Sequence, residues 1–545
     1  MPSIAGLGVA TPEPIPRSVL EVDMGEKQPL LRDAHVFPRP AREVGPYGEI
    51  IQWYGSGGYA SLRPIVVSSG PQYNRESDPS LGERVLLPFL PLMFLFIGGC
   101  LLVFLQASAY GGVVQATFVQ PFFPPQIQDS WAAYTPYYPV QAYTPPPKDC
   151  KITQVNIIQR HGARFPTSGA GTRIQAAVKK LQSAKTYTDP RLDFLTNYTY
   201  TLGHDDLVPF GALQSSQAGE ETFQRYSFMV SKENLPFIRA SSSNRVVDSA
   251  TNWTQGFSVA SNHVLNPMLS VILSESLNDT LDDAMCPNAG SSDAQTGIWT
   301  SIYGTPIANR LNQQAPGANI TAADVSNLIP LCAFETIVKE TPSPFCKLFT
   351  PEEFAQFEYF GDLDKFYGTG YGQPLGPVQG VGYINELLAR LTETLVRDNT
   401  QTNRTLDSSP LTFPLDRSVY ADFSHDNQMI AIFSAMGLFN QSSPLDPSFP
   451  NPKRTWITSR LTPFSARMVT ERLLCQRDGT GSGGPSRIMR NGNAQTFVRI
   501  LVNDALQPLK FCGGDKDGLC TLEAFVESQK YAREDGQGDF EKCFD

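Results

Sequence analysis

Two matched strand-loop-helix units constrain this chain more than any other feature. Val155-Asn156-Ile157-Ile158-Gln159 is a short β-branched and amide-bearing run that ends in the charged loop Arg160-His161-Gly162-Ala163-Arg164-Phe165-Pro166-Thr167. Ile174, Ala177, Val178 and Leu181 follow at helical spacing, so the segment reads as buried strand, loop and amphipathic helix. The order recurs where Ser418-Val419-Tyr420-Ala421-Asp422-Phe423 delivers Ser424-His425-Asp426-Asn427 just before Met429, Ile430, Ile432, Phe433 and Met436. Of only five histidines, two fall at corresponding places in these units. Alternation of this kind predicts an α/β fold, in which ligands bind beyond the carboxyl ends of the strands.

The residues at those ends point to phosphate. Arginine presents a planar fork of donors that matches phosphate oxygens two at a time. A neutral imidazole held among such cations is a nucleophile for phosphorus that needs no metal. Arg160 and Arg164 as surface ion pairs, with His161 an ordinary loop histidine, is the bland alternative, and the second unit weighs against it.

These stretches resemble the histidine acid phosphatases, through the arginine-histidine-glycine-alanine-arginine signature with its proline and threonine and through the later histidine-aspartate pair. The likeness is nearest to fungal phytases, carried by Phe237-Ile238-Arg239-Ala240-Ser241, by Gly376-Pro377-Val378-Gln379-Gly380-Val381-Gly382-Tyr383, by Tyr420 to Asn427 and by Leu501-Val502-Asn503-Asp504. It spans roughly residues 140 to 545. Val246 to Ser249 and Gln401 to Ser408 look most like the group that starts dephosphorylation at the 6-position. The resemblance implies a phosphoglycerate-mutase-like fold: a doubly wound mixed sheet flanked by helices, with a smaller all-helical subdomain.

It also implies roles. His161 is the expected nucleophile and Asp426 the proton donor, while Arg160, Arg164, Arg239 and His425 are expected to hold the phosphoryl group. Leu235-Pro236-Phe237-Ile238 reads as the strand delivering Arg239. Thr167, Arg173 and Asn427 are candidates for contacts to other substrate phosphates. Fungal phytases with several lysines after their signature differ here, since this chain has Ser168-Gly169-Ala170-Gly171-Thr172-Arg173. The implied substrate is inositol hexakisphosphate; the alternative is a broad acid phosphatase without that preference. No cofactor and no metal are implied, and the chain lacks the close His/Cys spacing of zinc sites. A metal-dependent phosphohydrolase would need more histidines near its strands, and a binding protein on an inactive phosphatase fold would not keep this residue set.

A net charge of −10 with no basic face excludes a nucleic-acid partner. The same negative surface repels a polyanion less as its carboxylates protonate, which fits an acidic working pH. At 545 residues the chain exceeds a usual domain of ~100–200 residues. Residues 1–84, rich in Pro, Gly and Ser, read as a disordered cytoplasmic tail. Val85 to Leu105 is apolar and uncharged, long enough for the roughly 20 residues of a spanning helix. Arg75 and Arg84 precede it and no Lys or Arg follows until Lys148, so the catalytic part is expected outside, as in a type II membrane protein. Ala107-Ser108-Ala109 has the small-x-small form of a cleaved secretory signal, but a run that begins only at Val85 favours a retained anchor.

Six sequons, at Asn197, Asn252, Asn278, Asn319, Asn403 and Asn440, lie beyond that run and are candidates for N-glycans. So do eight of the nine cysteines, an even set that implies disulfides without choosing among pairings. The resemblance implies Cys150–Cys475, Cys286–Cys543, Cys332–Cys346 and Cys512–Cys520.

Residues 106–148, dense in Pro, Tyr and Phe, are expected as an extended arm ahead of a phosphatase domain over 149–545. Short helical pieces between about 270 and 380, capped at Thr321 and Thr350, are read as most of the helical subdomain. Gly368 to Gly382 reads as a flexible connector. Ile384, Leu387, Leu388, Leu391 and Leu395 mark a helix with one apolar face. Two strands flanking Asn503-Asp504 read as a hairpin.

Overall fold

The computed structural model describes residues 122–476 and 494–545. In chain order its main elements are β1 (Cys150–Arg160), α1 (Ser168–Gln182), α2 (Pro209–Tyr226), β2 (Phe237–Ser241), α3 (Asn244–Ala260) and β3 (Leu269–Leu273). Helices α4 (Asp293–Gln314), α5 (Ala322–Lys339), α6 (Pro351–Gly368) and α7 (Val381–Thr392) follow. After them come β4 (Val419–Ser424), α8 (Asp426–Met436), β5 (Arg467–Cys475), β6 (Gln495–Val502), β7 (Ala505–Leu506) and β8 (Cys520–Thr521).

The strands form one mixed sheet in the order β3-β2-β4-β1-β5-β6-β7, with β8 also pairing with β6. The β3-β2-β4-β1 half is parallel, and β5 joins β1 antiparallel. All six residues of β4 are buried, including Asp422 and Ser424, so the strand shows no alternation of buried and exposed positions. Val155, Ile157, Ile238, Val419 and Ala421 pack with Ala218 of α2 and Trp253 and Phe257 of α3 on one face. Ile158 and Tyr420 pack with Ile174 and Val178 of α1, Leu387 of α7 and Phe433 of α8 on the other. Helices on both faces make the sheet doubly wound, as the resemblance implied.

Several local expectations hold for the reasons given. Both caps are reciprocal: Thr321 with Asp324 opens α5, and Thr350 with Glu353 opens α6. Val502 pairs with Ala505 across Asn503 and Asp504, whose φ angles of 47° and 64° are those of a tight hairpin turn. All four disulfides join the cysteines expected.

Others are corrected. Between 270 and 380 the helices are not short pieces, for α4, α5 and α6 have 22, 18 and 18 residues. Gly368 to Gly382 is packed rather than a flexible connector. A Cβ on Gly380 would lie 2.6 Å from the backbone of Ala431, so glycine is what lets this segment lie against α8. Helix α7 stops before Leu395, because Glu393 turns left-handed at φ 56° to cap it, and Leu395 is left 72% exposed.

From Phe122 to Thr144 the chain is bound to the body. Trp131 is buried, the Ala132 N–H donates to Glu358 at 2.6 Å, and the Arg467 guanidinium lies 3.9 Å over the Tyr137 ring. The apolar run Val85 to Leu105 lies outside the described residues. Among the described residues no helix is long and apolar enough to cross a membrane.

Candidate active site

Register sets the site. Arg160 pairs with Ser424 at the ends of parallel β1 and β4, and the His161 N–H donates to the Ser424 carbonyl at 3.0 Å. His161 and His425 therefore leave adjacent strand ends together, with ring centroids 5.7 Å apart. The loop after β1 is held tightly. Ser249 Oγ accepts from the Gly162 N–H at 2.9 Å, and Gln214 Oε1 accepts from Ala163 at 3.0 Å. A Cβ on Gly162 would fall 2.2 Å from the Gly211 carbonyl oxygen, so the two glycines allow the first turn of α2 to abut the loop.

His161 is buried, and its Nδ1 lies 2.8 Å from the Gly162 carbonyl oxygen. A carbonyl only accepts, so Nδ1 carries the ring proton and Nε2 keeps its lone pair. Burial, and after it the neighbouring charges of Arg160 and Arg164, hold the ring well below its ordinary range, hence neutral.

Arg160 is itself buried. Its Nη1 donates to the carbonyls of Ala133 and Thr462, while Nη2 stands 3.2 Å from Asp426 Oδ2. Arg164 is half-buried and donates from Nη1 to the Phe165 carbonyl at 2.8 Å; its Nε is buried without a partner. Asp426, the first residue of α8, also pairs with Lys365 Nζ at 2.9 Å. Burial pushes this carboxyl up, but Arg160 and Lys365 outweigh that and hold it well below the usual carboxylate range.

Arg239 does not join this group. In the register of β2 and β4 it stands beside Asp422, two residues short of the end of its strand. Its guanidinium is closed off by Asp422 at 2.8 Å and Glu386 at 2.6 Å, with Arg390 completing the network at 2.6 Å from Asp422. The expectation of a phosphate ligand at Arg239 is corrected on that ground: this buried cation directs four hydrogen bonds at two carboxylates in the layer below the histidines.

The third arginine near the histidines is Arg245, in the first turn of α3, with Nη2 3.3 Å from His425 Nδ1 and a buried, unpartnered Nε. Sequence reasoning missed it, although Phe237 to Ser241 followed by Ser242-Ser243-Asn244-Arg245 repeats the strand-loop-helix order. It missed Lys365 too, which no local pattern on α6 distinguishes. Thr167 caps α1 by accepting from the Ala170 N–H, and Arg173 is exposed on the same helix. Asn427 Oδ1 accepts from Lys365 Nζ at 2.6 Å, beside Asp426.

Among the described residues, one set of metal-type donors gathers within 4.8 Å: Glu275, Asp282 and His425. His425 Nε2 lies 3.0 Å from Glu275 Oε1 and 3.7 Å from Asp282 Oδ1. What the whole arrangement offers is a free imidazole nitrogen, three guanidiniums and an acid one residue beyond the second histidine.

Residues 151–503 match the family model of the histidine phosphatase superfamily, branch 2. The chain is 39% identical over 441 residues to Phytase A of Emericella nidulans, covering 77% of this chain and 91% of that protein. It is 38% identical over 434 residues to Phytase A of Arthroderma benhamiae, covering 76% and 92%. The crystal structure of the phytase from D. castellii superposes with a TM-score of 0.61 at 24% identity, over 78% of this chain and 89% of that one, which supports the fold.

Proposed function

Since the chain belongs to branch 2 of the histidine phosphatase superfamily, we propose that it hydrolyses the phosphomonoesters of myo-inositol hexakisphosphate through a phosphohistidine on His161. The observation that carries this is the His161 tautomer, with Nδ1–H spent on the Gly162 carbonyl and Nε2 free among Arg160, Arg164 and Arg245. The chemistry is that of a phosphomonoester hydrolase, and the Phytase A relatives supply the substrate.

The His161 Nε2 lone pair attacks phosphorus as the bond from phosphorus to the inositol oxygen breaks. Arg160, Arg164, Arg245 and His425 offset charge on the equatorial oxygens. The departing alkoxide takes its proton from Asp426, which is protonated once the substrate's negative charge draws Arg160 and Lys365 away from it. Water then gives its proton back to Asp426 and displaces the imidazole, releasing phosphate. Lys365 and Asn427 stand where a neighbouring phosphate of the same ring is recognised, and removal starting at the 6-position is the order we assign.

The catalytic part belongs on the lumenal or extracellular side. Four disulfides support this, as does exposure of the sequon asparagines Asn197, Asn278, Asn319 and Asn440. The test of function is turnover of inositol hexakisphosphate against a simple aryl phosphate, with identification of the first inositol pentakisphosphate formed. His161→Ala should abolish both activities, and a variant that kept wild-type turnover would remove the nucleophile.

A further inference from the structure

The partners of His425 fix where its proton lies. Arg245 Nη2 stands 3.3 Å from Nδ1 and a guanidinium only donates, so Nδ1 offers a lone pair and Nε2 holds the proton, 3.0 Å from Glu275 Oε1. Glu275 is firmly placed. The same oxygen accepts from the Ser243 N–H at 3.0 Å and lies 2.9 Å from Ser241 Oγ, whose single proton it shares with Asp279 Oδ2 at 2.7 Å. Asp282 comes within 3.7 Å of Nε2 because its loop is tied to the second unit. The Leu281 carbonyl accepts from Ser424 Oγ at 2.6 Å, and the Thr280 carbonyl accepts from Gln428 Nε2 at 2.7 Å.

The other titratable groups around this ring are the neutral His161 across the site, Asp283 beside Asp282, and Asp426 next in the chain. The hydrogen bond from His425 holds the Glu275 carboxyl at about 2, so it is ionised at any working pH.

Substrate changes what faces Nδ1. A phosphoryl dianion draws the donors of Arg245 to its own oxygens, and one of those oxygens replaces the guanidinium opposite Nδ1. An unprotonated phosphoryl oxygen only accepts, so the contact requires a proton on Nδ1 that the free protein does not carry. Resting on the reading of this pocket as a phosphoryl site, we propose that Glu275, seconded by Asp282, is a positioning residue that lets His425 take up one proton as the phosphoryl group binds. The imidazolium then donates from Nδ1 to the phosphoryl oxygen and from Nε2 to the carboxylate. The proton comes from solvent and returns to it when phosphate leaves.

Sulfate is the probe, a tetrahedral dianion that does not itself titrate near neutrality. Calorimetric titration of the full chain with sulfate, in buffers of different ionisation heat, counts the protons taken up. Wild type should take up protons as sulfate binds, and Glu275→Gln substantially fewer. The KM of Glu275→Gln for an aryl phosphate should be raised about tenfold near pH 7, the loss expected for a charge-assisted hydrogen bond, and should approach wild type near pH 5. Asp282→Asn should move both readouts the same way by less, and serves if Glu275→Gln fails to fold. Undiminished proton uptake, or a KM defect equal at every pH, would overturn the proposal while leaving the phosphatase intact. Absence of any sulfate or phosphate binding in wild type would overturn both.

Discussion

Lys365 Nζ stands 2.9 Å from Asp426 Oδ2, so the group that must give up a proton is paired with an ammonium in the free protein. Burial alone would raise the Asp426 carboxyl; Arg160 and Lys365 outweigh it and hold it low. Lys365→Met removes one of the two opposing charges, so the carboxyl keeps its proton to higher pH. The alkaline limb of kcat/KM on inositol hexakisphosphate should move upward, with a raised KM from the lost cation. An unchanged limb would show that Asp426 does not titrate in the rate-limiting step.

Asp426→Asn keeps the shape of the site and removes the transferable proton. Alcohol esters, whose leaving oxygen is strongly basic, should slow by about 10²–10⁴-fold. An aryl ester with an acidic leaving group should slow much less. Equal slowing of the two, measured as kcat on inositol hexakisphosphate and on a nitrophenyl phosphate, would assign the proton to another group.

Arg239 and Arg245 should respond in opposite ways. Arg239→Met leaves Asp422 and Glu386 without their buried partner and should cost about 3–5 kcal/mol in denaturant unfolding, with turnover per folded molecule kept. Arg245→Met removes a partly buried cation from beside His425. Its kcat/KM should fall by roughly 10²-fold with little change in the unfolding midpoint. A catalytic loss at Arg239 with stability unchanged would restore it to the site.

The contrast between those two arginines marks how far the sequence could be read. His161 and His425 were legible because each follows a strand directly, with Asp426 next in the chain, and the end of a buried strand fixes where the next residue goes. Arg239 misled because the apolar run before it ends at the arginine, whereas the strand continues through Ala240 and Ser241. A strand that ends at Ser241 rather than at Ile238 moves the Arg239 side chain from the pocket into the layer beneath it. Lys365 was illegible for a different reason: it sits inside α6, and only the packing of that helix brings it to Asp426. The α/β class was readable from alternating strand and helix patterns, while the doubly wound mixed sheet was implied by the resemblance. The packing of Gly368 to Gly382 was not, since a glycine needed for close approach and one in a flexible linker look alike in a single sequence.

The layer beneath the site sets the acid limit of the fold. Burial raises the Asp422 carboxyl, yet Arg239 and Arg390 outweigh it and hold it at about 2, against roughly 3.9 in an unfolded chain. A carboxyl lowered on folding stabilises the native state above its unfolded value, and that contribution is lost as pH falls through the folded one. The amount at stake is on the order of 2–3 kcal/mol, fully present above about pH 5 and gone near pH 1. Asp422→Asn should therefore unfold at lower temperature near pH 6, and its melting temperature should decline less steeply than wild type between about pH 4 and pH 2. Parallel decline in the two proteins would place the acid sensitivity elsewhere. Because Asp422 lies three residues before His425, its ion pairs keep the end of β4 anchored through the acid range in which Asp426 gains its proton most readily.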